Sequence, residues 1–399
     1  MAAVALRRGR SPLPIVARVV QGLGPGYMKF AQILSTREDM LPRALRQSFV
    51  QLQDRAIPMS QRAFYRAVEQ GIPGGREAFR ELNPVAVGAG SIACVYRGRL
   101  RDGREVAVKL ARPNIAARVA RNVRAIEGVA SFASRTPPMR DIPLMEMVQS
   151  VSRAVRAQVG FAAERAALTE LRSRSAHLTM VRVPKSHDEF CSPRAIVMEY
   201  IDDLAPFDWH GGNAEENAAT ARDIMLIVFE MLFITGVVHC DMHPGNLVRR
   251  TGGGVALLDA GFVHTVPDAV RVALAKFFLN LGFRNGSGCA AAVLSTCAGV
   301  RDPALLPDFE HAIDALVEKY GGRPADEFDF LDFSSKLFAA QRDYGVFASS
   351  DFVFPLLALL MVDGTVRKLD PGIDFQALAR PIVFRAVNLG SKSEERMGR

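Results

Sequence analysis

Residues 239–246, with the sequence HCDMHPGN, and residues 257–261, with the sequence LLDAG, give the strongest indication of the fold. They fit the patterns H-x-D-x-x-x-x-N and D-x-G, which place Asp241 and Asn246 five residues apart in one loop. Amide and carboxylate oxygens such as those of Asn246 and Asp259 suit Mg²⁺ that is shared with nucleotide phosphates. Asp241 is then available to orient or deprotonate an attacking hydroxyl group or water molecule. The two motifs together predict a Mg²⁺-dependent site for phosphoryl transfer.

A glycine-rich loop lies upstream of these motifs, between two β-prone stretches. Its candidate nucleotide-binding residues are Gly88, Ala89, Gly90, Ser91 and Val95. Glycine lacks a Cβ atom, so backbone N–H groups in such a loop can approach phosphate oxygens closely. A dinucleotide-binding loop would require a helix directly after the last glycine, whereas residues 94–96 continue as a strand. The pattern therefore favours a kinase-type phosphate loop, with a plain hairpin loop as the alternative.

A candidate lysine follows the glycine-rich loop. Residues 106–109 form a short β-prone run that ends at Lys109, fourteen residues after Val95. This arrangement suits a lysine that holds the α- and β-phosphates of a nucleotide, and such a lysine needs an acidic partner. Glu164, in a predicted helix further along the chain, is the best candidate for that partner. A surface lysine and a solvated helix glutamate are the alternatives that the sequence leaves open.

The hydrophobic pattern predicts an α+β chain with two lobes. Two strands are predicted at 85–96 and 105–110, and two further strands at 180–183 and 195–200. Between them, a helical segment at 113–143 is closed by Pro137 and Pro138, and a second helix is predicted at 144–173. From residue 201 onwards the pattern is mainly helical, with β-prone stretches at 246–249 and 255–258. The predicted domains are a basic segment (1–20), a helical preface (21–77), an N-lobe (78–200) and a helical C-lobe (201–399).

Composition and charge narrow the class of protein. A chain of 399 residues with 49% hydrophobic and 23% charged residues can bury a sizeable core, which excludes disorder and small stapled scaffolds. Five scattered cysteines without a C-x-x-C pair argue against disulfides and favour a reducing, cytoplasmic compartment. The net charge of +8 favours anionic partners. No apolar run reaches the roughly 18 to 20 residues of a membrane span, and Ile224–Val238 is predicted to be a buried helix.

The N-terminal segment is a poor secretory signal but predicts weak association with an anionic membrane surface. Its basic and apolar residues are Arg7, Arg8, Arg10, Arg18, Ile15, Val19 and Leu23. A basic amphipathic segment of this kind can lie on a bilayer, with on the order of 1 kcal/mol from each basic residue. Pro12 and Pro14 limit the helix, so weak and reversible binding is expected. Packing of the apolar stripe on the body of the protein is the alternative.

Three further stretches carry a resemblance to a known family. They are MKFAQILSTR at residues 28–37, QLQD at residues 51–54 and DGTVRKLDP at residues 363–371. With the motifs above, they make residues 21–384 resemble the UbiB/ADCK (AarF-type) atypical kinase-like family. The resemblance implies a bilobal protein-kinase-like fold with an extra N-terminal helical element over the usual peptide-substrate groove. It also implies ATP and Mg²⁺ as cofactors, and an ATPase or phosphotransferase activity that supports isoprenoid quinone, lipid or other small-molecule biosynthesis.

The resemblance also assigns roles to individual residues. Those expected to bind phosphate, to act in catalysis or to hold the metal ion are Lys109, Glu164, Asp241, Asn246 and Asp259. Lys29 and Gln32 would reach into the active site from the helical preface, and Glu199 would contact the nucleotide.

The sequence departs from the family pattern at several positions. Ala31 replaces the glycine of a K-x-G-Q motif, and Ala260 replaces the phenylalanine of D-F-G. Gln158 and Gly160 stand where the family has the two carboxylates of an E-x-D motif, so Lys29 lacks its expected acidic partner. The glycine-rich loop is also nearer to that of ordinary kinases than to the alanine-rich loop of the family.

Three functions remain open on the sequence alone. The leading one is an ATP- and Mg²⁺-dependent kinase-like enzyme with a lipid or small-molecule substrate, a biosynthetic protein complex as a candidate partner, and no nucleic acid. The second is a small-molecule phosphotransferase of the aminoglycoside or choline kinase type, which the helical preface with Lys29 and Gln32 argues against. The third is a nucleotide-binding pseudokinase that acts as a scaffold, which the missing carboxylates at Gln158 and Gly160 favour.

Overall fold

The structure is a computed structural model. It describes residues 57–135, 144–157, 159–207, 213–323 and 327–397. The basic segment and most of the helical preface, including Lys29 and Gln32, lie outside the described residues, as does Gln158. The expectations for those residues therefore stay predictions.

The chain divides into two compact units. The first unit comprises Met1–Thr169 and Pro184–Ile201, and the second comprises Glu170–Val183 and Asp202–Arg399. The first unit ends at Ile201, next to the predicted boundary between the N-lobe (78–200) and the C-lobe (201–399). Glu170–Val183, which the sequence placed in the N-lobe, belongs to the second unit because part of it adds a strand to a sheet there.

Helices make up most of the described chain. They are, in chain order, α1 (Gln61–Gly71), α2 (Ile115–Ala133), α3 (Leu144–Ala157), α4 (Phe161–Arg174), α5 (Ala214–Phe229), α6 (Asp268–Gly282), α7 (Gly286–Thr296), α8 (Leu306–Tyr320), α9 (Phe330–Asp343), α10 (Ser350–Leu369) and α11 (Phe375–Met397). The strands are β1 (Phe79–Ala89), β2 (Ala93–Leu100), β3 (Glu105–Ala111), β4 (Val181–Arg182), β5 (Ala195–Glu199), β6 (Leu204–Ala205), β7 (Val237–His239), β8 (Leu247–Arg250), β9 (Val255–Leu257), β10 (Val263–Thr265), β11 (Cys297–Val300) and β12 (Val346–Ala348).

The first unit contains an antiparallel sheet in the order β1-β2-β3-β5. The prediction of one strand over residues 85–96 is wrong, because a tight turn divides that stretch between β1 and β2. In this turn the Gly90 N–H donates to the Ala93 carbonyl oxygen over 2.8 Å. Helix α1 packs on the sheet, with the rings of Phe64 and Tyr96 fully buried and their centroids 4.4 Å apart. The turn that holds the glycine-rich loop is thus anchored to a packed core.

The predicted helix over residues 144–173 is two helices, α3 and α4. The second begins at Phe161, directly after Gly160, whose carbonyl oxygen accepts the N–H of Glu164 over 3.0 Å. Glycine is unfavourable inside a helix, which accounts for the break. The break places Glu164 in the first turn of α4 instead of in the middle of a long helix. Helix α2 ends at Ala133, four residues before Pro137, where the helical segment is predicted to close.

Three small sheets lie in the described part of the second unit. The largest has the order β4-β9-β8-β6, and β7 pairs with β10 and β11 with β12. The sequence predicted β8 and β9, which the structure confirms to within one residue at each end. It missed β6, β7, β10, β11 and β12, which are two to four residues long and lack a glycine turn of the kind that separates β8 from β9.

The core of the second unit is helical. Helix α5 buries most of its second half, as predicted for Ile224–Val238, but a π-helical turn over Glu230–Thr235 follows it. Gly236, at a φ of 70°, then ends the turn before β7, a conformation that glycine adopts without strain. Among the described residues, no helix is long and apolar enough to cross a membrane.

Candidate functional site

The candidate residues fall into two groups, one in each unit. In the first unit, Lys109 and Glu164 form a buried ion pair. The Nζ atom of Lys109 lies 2.5 Å from Oε1 of Glu164, and the two side chains are only 10% and 4% exposed. Lys109 is held in β3 between two neighbouring strands, and Glu164 sits in the first turn of α4, where the helix dipole favours a carboxylate. Since desolvation offsets much of the attraction in a buried pair, its main effect is to fix the ammonium group in place.

Phe161 is a neighbour of this pair that sequence analysis missed. Its buried ring lies with its centroid 5.6 Å from Nζ of Lys109, close enough for a cation–π interaction. The signal was present in the sequence, because Phe161 precedes Glu164 by three residues and thus shares its side of α4. The lysine is therefore positioned by one carboxylate and one aromatic face.

The glycine-rich loop forms the end of the β1–β2 hairpin. Gly88 pairs with Val95, and Ala89 pairs with Cys94. Neither Gly88 nor Gly90 has a positive φ, and a Cβ atom on Gly88 would lie at an ordinary contact distance of 3.7 Å from that of Val95. The fold itself therefore does not require glycine at these two positions. Glycine without a conformational role suits a backbone that a phosphate group approaches closely.

Glu199 lies at the end of β5, in the same sheet as Lys109. Its backbone N–H donates to the carbonyl oxygen of Lys185 over 2.8 Å, and its Oε2 accepts the N–H of Lys185 over 3.3 Å. It pairs with Val106, three residues before Lys109 in β3. The structure thus gives Glu199 a defined place in the sheet, and its contact with a nucleotide stays a prediction.

In the second unit, His239 connects the two loops that carry the other candidates. It is fully buried at the end of β7, and its Nδ1 accepts the backbone N–H of Asp241 over 3.1 Å. Its Nε2 must then carry the proton, which it donates to the carbonyl oxygen of Asp259 over 2.6 Å. Burial lowers the pKa of the imidazole below its ordinary value, so the ring stays neutral in this role.

Asp241 and Asn246 are joined within their loop. The Nδ2 group of Asn246 donates to the backbone carbonyl oxygen of Asp241 over 2.9 Å. The Asn246 N–H donates to the His243 carbonyl oxygen over 2.9 Å, so the backbone here is a tight turn. With its amide nitrogen engaged in this way, Asn246 has its amide oxygen as the atom that suits a cation.

Asp259 begins the second of the two loops. Its Oδ1 accepts the N–H of Gly261 over 2.6 Å, which fixes the carboxylate against its own backbone. The carbonyl oxygen of Asn246 accepts the N–H of Leu258 over 2.9 Å, so the residue before Asp259 is tied directly to the other loop. An amide oxygen and a carboxylate on two loops connected in this way fit the hard oxygen ligands of Mg²⁺.

The histidines do not form a zinc site. Both ring nitrogens of His239 are engaged by backbone groups, so neither can bind a metal ion. His243 uses its Nδ1 to accept the N–H of Gly245 over 2.9 Å and holds the turn. Within the described ranges, no three His, Cys, Asp or Glu side chains cluster as a metal site. These contacts give both histidines a structural role in the loop.

Comparison with known proteins identifies the family. A model of the ABC1 atypical kinase-like domain matches residues 51–293, more than half of the chain, and this range includes both groups of candidate residues. The chain therefore belongs to the ABC1 atypical kinase-like family, which is the UbiB/ADCK family that its sequence resembles.

A solved structure supports the fold. It is the complex of Rv3197 with erythromycin from Mycobacterium tuberculosis, and the alignment covers 91% of this chain and 93% of that chain. The TM-score is 0.60 and the sequence identity is 19%. The predicted α+β kinase-like fold is thus confirmed, and the likeness at this identity extends to the fold alone.

Proposed function

We propose that this protein binds Mg-ATP and uses it in an ATPase or phosphotransferase reaction that serves a lipid or small-molecule pathway. The observation that carries the proposal is the joining of the two loops in the second unit. His239 bonds to the backbone of both Asp241 and Asp259, and Asn246 bonds to Asp241. These contacts fix the backbone of Asp241 on both sides, which supports a catalytic role for its side chain beyond nucleotide binding.

Each group of residues has a role in this proposal. Lys109, held by Glu164, binds the α- and β-phosphates, and the backbone of the glycine-rich loop approaches the phosphate oxygens. Asn246 and Asp259 hold Mg²⁺, which neutralises charge on the phosphate groups when it is bound. Asp241 accepts a hydrogen bond from the attacking hydroxyl group or water molecule and orients it for in-line attack.

The proposal extends to the phosphoryl acceptor, the pathway and the location in the cell. Membership of the family supports a role in isoprenoid quinone or lipid metabolism, with a biosynthetic protein complex as a partner. The basic segment would give weak binding to an anionic membrane surface from the cytoplasmic side, and protein substrates would be poor if the helical preface covers the peptide groove. Erythromycin belongs among the test compounds, because a protein of the same fold was solved in complex with it.

A labelled-ATP assay tests the proposal. Released phosphate and phosphorylated product are followed together, with and without isoprenoid lipids, phenolic lipids, anionic liposomes and erythromycin. We expect turnover by the parent protein, and loss of both Mg-ATP binding and turnover in Asp259→Asn, because the substitution removes the charge that compensates Mg²⁺. The matched control is Asp308→Asn, since Asp308 is an exposed aspartate in α8.

The possible outcomes separate the rival functions. Binding of Mg-ATP with no turnover under any condition would favour the pseudokinase scaffold. Stoichiometric transfer to a small hydroxylated compound in place of hydrolysis would favour the small-molecule phosphotransferase. Equal binding of Mg-ATP by the parent and by Asp259→Asn would contradict the assignment of the site.

A further inference from the structure

Arg112 makes an unusual set of contacts around the glycine-rich loop. It directly follows β3, three residues after Lys109, and is half-buried. Its Nε donates to the carbonyl oxygen of Gly90 over 2.9 Å, and its backbone N–H donates to that of Ile92, also over 2.9 Å. A single residue thus holds the tip of the loop at two carbonyl groups.

The first of these bonds fixes the direction of a backbone N–H group. All described peptide bonds are trans, so the carbonyl of Gly90 and the N–H of Ser91 lie in one rigid plane and point in opposite directions. Because the Gly90 carbonyl points to the Arg112 guanidinium, the Ser91 N–H points away from it. Rotation of this peptide plane would break the bond to Arg112. The arginine therefore sets the orientation of a donor at the tip of the loop.

Arg112 also reaches the segment that leads into α1. Its Nη2 donates to the carbonyl oxygen of Ile57 over 2.7 Å, while the Ile57 side chain is 84% exposed. Ile57 lies shortly before Ser60, which caps α1. The same guanidinium thus bonds to the glycine-rich loop and to the C-terminal part of the helical preface.

We propose that Arg112 is a positioning residue, which orients the loop tip for the phosphates of the nucleotide and ties that orientation to the chain before α1. The inference rests on the proposed function, since it concerns the binding of the same nucleotide. Arginine suits this task because its planar group carries donors in a fixed fork that can meet two carbonyl oxygens at once. Lysine presents one ammonium group and cannot reproduce both bonds in the same geometry.

If Arg112 orients the loop for phosphate, its replacement should weaken the binding of Mg-ATP much more than the binding of adenosine. We would measure the dissociation constants of Mg-ATP and of adenosine by calorimetry for the parent, Arg112→Ala and Arg112→Lys. In Arg112→Ala we expect Mg-ATP to bind about tenfold more weakly, the factor expected for one lost hydrogen bond to a charged group. Adenosine has no phosphate, so its affinity should change less than about twofold by the same reasoning. Arg112→Lys keeps the charge and should recover only part of the loss.

The controls distinguish orientation of the loop by Arg112 from an effect of its charge and from misfolding of the variant. Arg118→Ala removes an exposed arginine on α2 and should leave both constants unchanged. Full recovery by Arg112→Lys would mean that charge alone attracts the phosphates, and would overturn the proposal. An equal loss for ATP and adenosine in a folded Arg112→Ala, as judged by circular dichroism, would also overturn it.

The same titrations distinguish this inference from the proposed function. If the parent binds Mg-ATP and Arg112→Ala binds it equally well, only the role of Arg112 is rejected. If the parent does not bind Mg-ATP at all, the proposed function is rejected and the inference falls with it.

Discussion

Substitutions in the buried pair of Lys109 and Glu164 should affect Mg-ATP binding and the free energy of unfolding differently. The perturbation is a double-mutant cycle of Lys109→Met, Glu164→Met and the two together. At a separation of 2.5 Å and an effective dielectric constant of about 20, the attraction is about 7 kcal/mol. Removal of two nearly buried ions from water costs several kcal/mol for each ion, so the net contribution of the intact pair to stability is small.

Each single change is expected to be costly, because it leaves one charge buried without its partner. We expect a loss of about 3 to 5 kcal/mol in the free energy of unfolding for either single variant. The double variant replaces both charges with apolar side chains of similar length, and should lie within about 2 kcal/mol of the parent. All three variants should lose Mg-ATP binding, because the phosphate-binding ammonium is absent or no longer held in place.

The assays are urea denaturation followed by circular dichroism, and calorimetric titration with Mg-ATP. The control is the more exposed pair Arg156 and Glu127 of the same unit, with side chains 46% and 23% exposed, where replacing either residue should cost less than about 1 kcal/mol. Two results would refute the reasoning. Additive losses in the double variant would mean that the two charges are not coupled, and tight Mg-ATP binding by the double variant would mean that Lys109 does not hold the phosphates.

Three other perturbations follow from the structure. Burial lowers the pKa of His239 below its ordinary value of about 6.5, so the unfolded chain binds a proton at this residue more readily than the folded chain does. The stability of the fold should therefore fall as the pH drops below about 6.5. In thermal melts from pH 7 to pH 5, the melting temperature of His239→Gln should depend less on pH than that of the parent. Arg385→Ala removes the guanidinium that pairs with the buried carboxylate of Glu230 and leaves that carboxylate with His177 at 3.7 Å, so it should cost about 2 to 4 kcal/mol in urea unfolding. The exposed Arg380→Ala on the same helix should change stability by less than about 0.5 kcal/mol, and equal effects would contradict this. Gly88→Ala should leave the melting temperature within about 2 °C of the parent, because its Cβ has room, but should weaken Mg-ATP binding in a titration if phosphate approaches the backbone there.

The loops of the second unit illustrate what spacing in the sequence can predict. Asp241 and Asn246 are five residues apart, and a turn of that length brings them into contact whatever surrounds it. The neighbouring strands β8 and β9 were also predictable, because they are separated by a short glycine turn. Sequence reasoning succeeds here because the interactions are local.

The errors have physical causes as well. Residues 85–96 were predicted to form one strand because apolar residues lie on both sides of the glycines. In the structure a hydrogen bond from the Gly90 N–H to the Ala93 carbonyl oxygen closes a turn within this stretch. The long helix over 144–173 was assigned because the residues on both sides of Gly160 favour helix. In the first stretch a backbone hydrogen bond, which has no side-chain signature, closes the turn, and in the second a single glycine interrupts residues that otherwise favour helix.

Residue types at short spacings are enough to predict the family, the kinase-like fold class and the set of candidate residues. Which atoms of those residues meet depends on tertiary packing. Glu164 is 55 residues from Lys109, and the distance of 2.5 Å between their charged atoms exists only because the tertiary fold brings the first turn of α4 to β3. The bond from Arg112 to Gly90, across 22 residues, and that from His239 to Asp259, across 20 residues, have the same origin. Contacts between residues distant in sequence arise when burial of apolar surface brings separate elements together, and no local pattern encodes their geometry.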